Sequence, residues 1–119
     1  MSSLKLEIRD GQTAFRPGDE VVGTASWQLE RAPRELEVRL FWRTEGKGTQ
    51  DVHIADTVRY ADAAASEQRE FLLVVPRGPF SFSGSLISLI WAIEAVATHP
   101  AATARAGIVV SPTGAEIEL

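Results

Sequence analysis

Apolar and polar residues alternate with a period of two along most of the chain. From Val21 to Glu30 the odd positions are apolar or glycine, and the even positions from Thr24 onward are polar. Such alternation is the pattern of a β-strand that buries one face. Further runs of this kind cover residues 4–8, 36–42, 52–60 and 71–75. The pattern places Trp27 and Trp42 on buried faces, where we expect them to pack in the core.

Glycine and proline separate these runs at short intervals. The turn signals are Asp10-Gly11, Arg16–Asp19, Ala32-Pro33, Glu45–Gly48, Arg77–Pro79 and Pro112–Gly114. Both residue types are favoured where a chain reverses or takes a positive φ. Short strands at this spacing, with no alternation of helices and strands, predict an all-β fold. We expect an immunoglobulin-like antiparallel β-sandwich of about seven strands, in a single domain that spans residues 1–119.

Residues 85–98 fit the period of a helix as well as that of a strand. Apolar residues recur there at helical spacing, and they also alternate without a fault from Ile87 onward. We favour a strand, because a helix of this composition would lack a polar face and because Ile and Trp suit a pleated surface. Trp91 then fills the middle of the core, with its N–H bonded to a backbone carbonyl. The second face of this strand, which we expect to be partly covered, carries Leu86, Ile90 and Val96.

A proline-glycine-acid turn precedes the strand that begins near Val21. Pro17 fixes φ for the turn, Gly18 takes a conformation that a β-carbon would penalise, and Asp19 bonds its own backbone. Gly23, a few residues on, lets a neighbouring strand approach closely.

A second motif runs from Val75 to Ile93, where a turn at Pro79 leads through Gly84 into the strand that bears Trp91. In this order, the two motifs resemble the arrestin-like β-sandwich family. That family includes the arrestins, retromer subunits of the Vps26 type and bacterial sporulation-control proteins of the Spo0M type. The resemblance spans nearly the whole chain and implies a fold signature made of Pro17, Gly18, Asp19, Gly23, Pro79, Gly84 and Trp91.

The resemblance implies a module that binds other proteins. Arrestins join two such lobes and use both for their switch, whereas this chain has the length of one. The fold is therefore carried over and the switch is not, and no residue is assigned to the charged network between arrestin lobes.

Composition excludes several kinds of site. The chain has no cysteine, which rules out disulfides, thiolate metal sites and cysteine nucleophiles. Its formal net charge is −4, and nucleic-acid affinity depends on clustered Lys and Arg, so we expect no nucleic-acid partner. Arginine outnumbers lysine and asparagine is absent, which is typical of a GC-rich bacterial genome. The N-terminus lacks a signal-peptide pattern and no apolar run reaches bilayer length, so we expect a cytoplasmic protein with no membrane span.

Catalytic patterns are also missing. His53 and His99 lack the spacing of a metal site or a catalytic triad, and we expect both to be exposed without a role. Residues 46–49, Gly-Lys-Gly-Thr, look like a phosphate loop, but a hairpin turn explains them better. The serines near Gly84 do not form a nucleophile elbow. We expect no catalytic residue, cofactor or metal, and hence no enzyme.

Asp56 interrupts the apolar side of the run 52–60, in which Val52 and Ile54 alternate with His53. A buried functional carboxylate is one interpretation. A β-bulge or an edge position that turns Asp56 to water is the favoured one. The C-terminal residues 116–119 alternate like a short strand that can add to a sheet edge.

The remaining candidate site is a surface. Phe41 lies between Arg39 and Arg43 on the outer side of its strand, and Phe with Arg is enriched at protein interfaces. The alternative is that the chain's own loop or C-terminal strand covers Phe41. Our leading hypothesis is a non-enzymatic interaction or scaffold module whose partner is another protein or a second copy. It would dock through sheet edges, through Arg39, Phe41 and Arg43, or through the loops at 46–49 and 78–83. The alternative function is binding of a carbohydrate or lipid on an exposed tryptophan.

Overall fold

Two β-sheets pack face to face in the computed structural model, which describes residues 2–46, 48 and 50–118. Within these residues the strands are β1 Ser3–Ile8, β2 Ala14–Phe15, β3 Glu20–Gln28, β4 Glu35–Gly46, β5 Val52–Arg59, β6 Ser66–Val74, β7 Phe82–Ser83, β8 Ile87–Thr98, β9 Ala102–Val110 and β10 Ile117–Glu118. A 3-10 turn, Arg9–Gly11, follows β1. The predicted all-β sandwich is confirmed, and β2, β7 and β10 are short additions of two residues each to the longer strands.

The small sheet has the order β1-β3-β6, and the large sheet joins the other seven strands around β8 and β4. All pairs of long strands are antiparallel, whereas the short pairs β2 with β9 and β7 with β10 are parallel. Buried side chains of both sheets meet between them, with Leu40 and Ile93 from the large sheet and Val21 and Leu73 from the small one. Alternation with one dry face places these residues inward, as the sequence predicts.

Trp91 is completely buried, and its Nε1 donates a hydrogen bond to the carbonyl oxygen of Pro79 at 2.9 Å. This confirms both the strand at 87–98 and the partner type predicted for the indole. Ile90 and Val96 are half-buried on the outer side of β8, as expected. Leu86 precedes the strand and is 72% exposed, so it is not covered.

The turn before β3 has the predicted chemistry. Gly18 has a φ of 88°, which favours glycine. The side chain of Asp19 accepts a hydrogen bond from the backbone N–H of Arg16 at 2.8 Å. Backbone bonds then tie the turn to the end of β6, with Gly18 donating to Val75 and Val75 donating to Asp19, each at 2.9 Å.

Gly23 is a point of close approach, as predicted. A β-carbon at this position would collide with the carbonyl oxygen of Glu7 in β1 and with the ring of Phe71 in β6. Gly46 has a similar role that the sequence did not indicate, because a β-carbon there would collide with the carbonyl oxygen of Leu86.

Strand β9 and the first half of β6 were not predicted. Residues 102–106 alternate Ala with Thr and Arg, and alanine gives little hydrophobic contrast and a low strand propensity. The start of β6 is charged on both sides, so the pattern was clear only from Phe71 onward. Pairing with β8 and β3 provides the backbone hydrogen bonds that stabilise these segments.

A bulge in β5 changes the side on which its first residues lie. Leu40 pairs with Asp56 but Phe41 pairs with Ile54, so β5 has one extra residue at this point. The bulge predicted at Asp56 is therefore present. It also reverses the faces of the residues before it, so the prediction that Val52 and Ile54 lie on the dry side is wrong. His53 is exposed, as expected, although the bulge places it opposite Trp42.

Two peptide bonds before proline, Gly78-Pro79 and His99-Pro100, are cis. His99 lies in the turn between β8 and β9, as expected, and it is exposed. Among the described residues, no helix has the length and apolar character needed to cross a bilayer.

Candidate interaction surface

The outer face of the large sheet is formed by four neighbouring strands in the order β5, β4, β8, β9. Cross-strand pairing arranges its side chains in rows. One row runs Ile54, Phe41, Ala92, Gly107, and the next toward the β4–β5 hairpin runs Val52, Arg43, Ile90. We call these two rows the apolar half. The rows on the other side, which we call the charged half, contain Thr57, Arg39, Glu94, Arg105 and then Arg59, Glu37, Val96, Thr103.

Arg39, Phe41 and Arg43 lie together on this outer face of β4. Phe41 is only 5% exposed, so it is not the exposed aromatic that an interface anchor requires in the isolated chain. Its cover is Arg105 of β9, whose Cζ lies 5.2 Å from the centre of the Phe41 ring. The predicted alternative covers, a loop or the C-terminal strand, are not the ones observed. A cation over an aromatic ring is attracted by the ring's quadrupole.

The charged half consists of ion pairs. Arg105 donates from Nη2 to Glu94 Oε2 at 2.8 Å and from Nε at 3.1 Å. The Glu37 carboxylate pairs with Arg39. It also accepts a hydrogen bond from the Nε of the highly exposed Arg59 at 3.2 Å. Surface pairs of this kind contribute at most about 1 kcal/mol each to stability. They offset most of the charge of this face and fix the guanidinium positions.

The apolar half contains two side chains that the alternation pattern assigns to the opposite face of β5. Val52 is 62% exposed and Ile54 is 55% exposed, both on the edge strand β5. Arg43 lies between Val52 and Ile90 and pairs with Glu45. Its Nε is buried and has no hydrogen-bond partner within the described part of the chain. The only sequence signal for this patch was Asp56, because a bulge there reverses the parity of the residues before it.

The free edge of β6 is held by two side chains of β5 and its following turn. Asp56 accepts a hydrogen bond from the backbone N–H of Val74 at 2.9 Å, and the hydroxyl of Tyr60 donates to the carbonyl of Glu70 at 3.0 Å. Asp56 is therefore neither turned to bulk water nor a buried functional carboxylate. These bonds occupy backbone groups that an edge strand otherwise offers to a partner.

An ion pair on the inward side of β6 was also missed. Glu67 and Arg69 share the parity of Phe71 and pair with each other beside Tyr60, over whose ring the Arg69 Cζ lies at 5.7 Å. Hydrogen bonds from Arg69 and from the backbone N–H of Ala64 lower the pKa of Glu67. Burial raises the pKa of Tyr60 to about 12. The only sequence signal for their inward position was their shared parity with Phe71, since the charged start of β6 has no apolar alternation.

The loops at 46–49 and 78–83 were the other predicted docking sites. Lys47 and Thr49 lie outside the described residues, while the antiparallel pairing of β4 with β5 makes the connection a hairpin, as predicted. In the second loop Ser81 is buried and structural. Its hydroxyl accepts from the Val110 N–H at 2.9 Å, and its own N–H donates to the Val110 carbonyl at 2.7 Å.

The alternative function, binding of a carbohydrate or lipid, requires an exposed tryptophan. Trp27 and Trp91 are buried, and Trp27 Nε1 donates to the carbonyl of Ala64 at 2.8 Å. Trp42 is half-buried and packs against the core, and its ring stacks on exposed His53 with centroids 4.4 Å apart. No group of three His, Cys, Asp or Glu within the described residues could hold a metal ion.

No protein-family model and no curated protein sequence matches the chain. A search of solved structures finds Spo0M, a sporulation control protein from Bacillus subtilis, with a TM-score of 0.66 and 15% sequence identity. The similarity covers 92% of this chain. The chain has the fold of one arrestin-like lobe. The matched region is 49% of the Spo0M chain, so this arrestin-like lobe spans about half the length of that protein.

Proposed function

We propose that this arrestin-like lobe is a non-enzymatic protein-interaction module, and that it docks its partner on the outer face of the large sheet. The observation that carries the proposal is the exposure of Val52 and Ile54 beside an ordered set of ion pairs. Exposed apolar side chains with a polar border are typical of protein-binding surfaces. The arrestin-like fold supports an interaction or regulatory role over catalysis.

The face has the composition of an interface whose centre is apolar. Arg39 and Arg43 flank the buried ring of Phe41 along β4, and Arg105 covers that ring. A partner that displaces Arg105 gains the aromatic surface beneath it, and Arg105 retains Glu94 as its ion-pair partner. Phe41 is then an anchor that docking uncovers.

The setting that we propose is a bacterial cytoplasm, and the excess of arginine over lysine is typical of a GC-rich bacterial genome. Self-association belongs to the same proposal, because a second copy is one possible protein partner for the face.

Photo-cross-linking in the native cell tests the proposal. A photoreactive residue is placed at position 54 in one variant and at position 72 in a matched control. Leu72 is suitable because it is 46% exposed on the outer face of the small sheet. We expect covalent protein adducts from position 54 and few from position 72. Equal adduct formation from both positions, or none from position 54, would show that this face is not the docking surface.

A further inference from the structure

We infer that the occupant of the outer face is a second copy of this chain, bound face to face about a two-fold axis that runs parallel to the strands between β4 and β8. This inference rests on the proposed function and names the partner of the same surface. Three features carry it: the match of large and small side chains across the face, the distribution of charge, and the area available.

The two-fold axis determines which strands meet. A rotation about an axis that lies in the interface and along the strands places β5 of one copy over β9 of the other, and β4 over β8. The strands of the two sheets then run nearly parallel, as in aligned sheet packing, where the sheets lie about 10 Å apart. The apolar half of one copy meets the apolar half of the other. An axis across the strands would instead press the apolar half onto the ion pairs, which costs desolvation free energy.

Side-chain sizes in the central row are self-complementary under this rotation. The row is Ile54, Phe41, Ala92, Gly107, so each large residue lies over a small one of the second copy. Ile54 meets Gly107, where a β-carbon would find no atom within 4 Å, so the site has room for an incoming side chain. Phe41 meets Ala92. Alternation of large and small residues across facing positions is what lets two layers interdigitate without voids.

Charges match in the next row. It contains Arg39 on β4 and Glu94 on β8, and the rotation brings Arg39 of each copy over Glu94 of the other. The arginines of this face are all paired with glutamates of the same face. The face therefore does not share the net charge of −4, which would otherwise repel a second copy.

The area is sufficient for a stable dimer. Four strands at a spacing of about 4.8 Å make the face about 19 Å wide, and strands of this length make it about 30 to 40 Å long. The resulting area of about 600 to 750 Å² per chain is close to the roughly 800 Å² that each partner contributes to a standard interface. The exposed side chains of Val52 and Ile54 would be covered on both copies.

Sedimentation velocity with two charge-reversal variants tests the inference. Arg39→Glu gives a chain with Glu at both 39 and 94, and Glu94→Arg gives a chain with Arg at both. Each variant has two like-charge contacts in its own dimer, so we expect the dimer dissociation constant to rise about 100-fold. A mixture of the two variants has two opposite-charge contacts and no like-charge contact between chains. We expect the mixture to recover the dimer of twice 12.9 kDa.

Matched controls separate loss of the interface from loss of the fold. Thermal unfolding and circular dichroism establish that each variant is folded. Ile54→Glu changes no ion pair and should also give monomers, whereas Leu72→Glu, on the other sheet, should leave the dimer intact.

Three results would overturn the inference: a monomeric wild-type chain at about 1 mM, variants that dimerise as the wild type does, or a mixture of the charge variants that stays monomeric. Cross-links from position 54 to other proteins, combined with a monomeric wild type, would refute the second copy and leave the proposed function standing.

Discussion

Replacement of Gly23 by alanine tests how closely the three strands of the small sheet approach each other. The added β-carbon would collide with the carbonyl oxygen of Glu7 and with the ring of Phe71. Phe71 is 3% exposed and packed in the core, and Glu7 belongs to β1, which pairs with β3 through Ile8 opposite Gly23. Neither neighbour can move without separating β1 from β3 or disturbing the core.

The expected cost follows from these contacts. Overpacking of a close-packed core costs about 1–3 kcal/mol, and a weakened backbone hydrogen bond between β1 and β3 costs about 1 kcal/mol. The lower entropy of the unfolded alanine chain offsets about 0.4–1 kcal/mol. The free energy of unfolding should therefore fall by about 1–3.5 kcal/mol, and for a chain of this size Tm should fall by about 4–14 °C.

Urea and thermal unfolding, followed by tryptophan fluorescence and circular dichroism, measure this change. The control is Gly107→Ala, because Gly107 also lies in a strand and a β-carbon there has no atom within 4 Å. The control should be neutral or slightly stabilising. Both variants are measured at a protein concentration low enough that the chain is monomeric, because Gly107 lies in the interface inferred above and self-association would enter the comparison. If Gly23→Ala is as stable as Gly107→Ala, the close approach at Gly23 does not limit the fold.

Two further predictions concern the edge between β5 and β6. Tyr60 is the single tyrosine, so phenolate absorbance should report a pKa of about 12 in the folded chain and near 10 in denaturant. Because the pKa of Tyr60 is higher in the folded chain, the contribution of Tyr60 to the free energy of unfolding is complete below pH 10 and is lost as the pH rises toward 12. Titration of Tyr60 near pH 10 in the folded chain would contradict its burial. Asp56→Ala should reduce stability by about 1 kcal/mol, since water can reach the Val74 N–H that loses its acceptor. Amide exchange at Val74 should accelerate in that variant and not in Asp51→Ala, and unchanged exchange at Val74 would argue against the contact.

Much of the fold was predictable because alternation and turn chemistry are local. A period of two identifies a strand and its buried face wherever apolar and polar residues contrast strongly, as they do in β3 and β4. The contrast is weak in β9, where alanine occupies the inward positions, and it is absent at the charged start of β6. Those segments are strands because their neighbours supply hydrogen bonds, which no local pattern records.

The candidate surface was predictable only in part. Arg39, Phe41 and Arg43 share one face, as parity requires, but the cover on Phe41 comes from Arg105, which lies more than sixty positions along the chain. Val52 and Ile54 reached the same face through the bulge at Asp56. A one-residue insertion in a strand reverses every side chain before it, so one local irregularity decided the exposure of the apolar half.

The sequence by itself determined the strands with a clear dry face, the strand-opening turn at Pro17–Asp19 and the burial of Trp91, because each depends on side chains close together along the chain. The tertiary structure decided which strands lie side by side, and with them the rows of the outer face. The pairing of β4 with β8, and of β8 with β9, places Phe41, Ala92 and Gly107 in one row. The positions of these residues along the chain do not indicate that they share a row, because cross-strand register is set by pairing between distant segments.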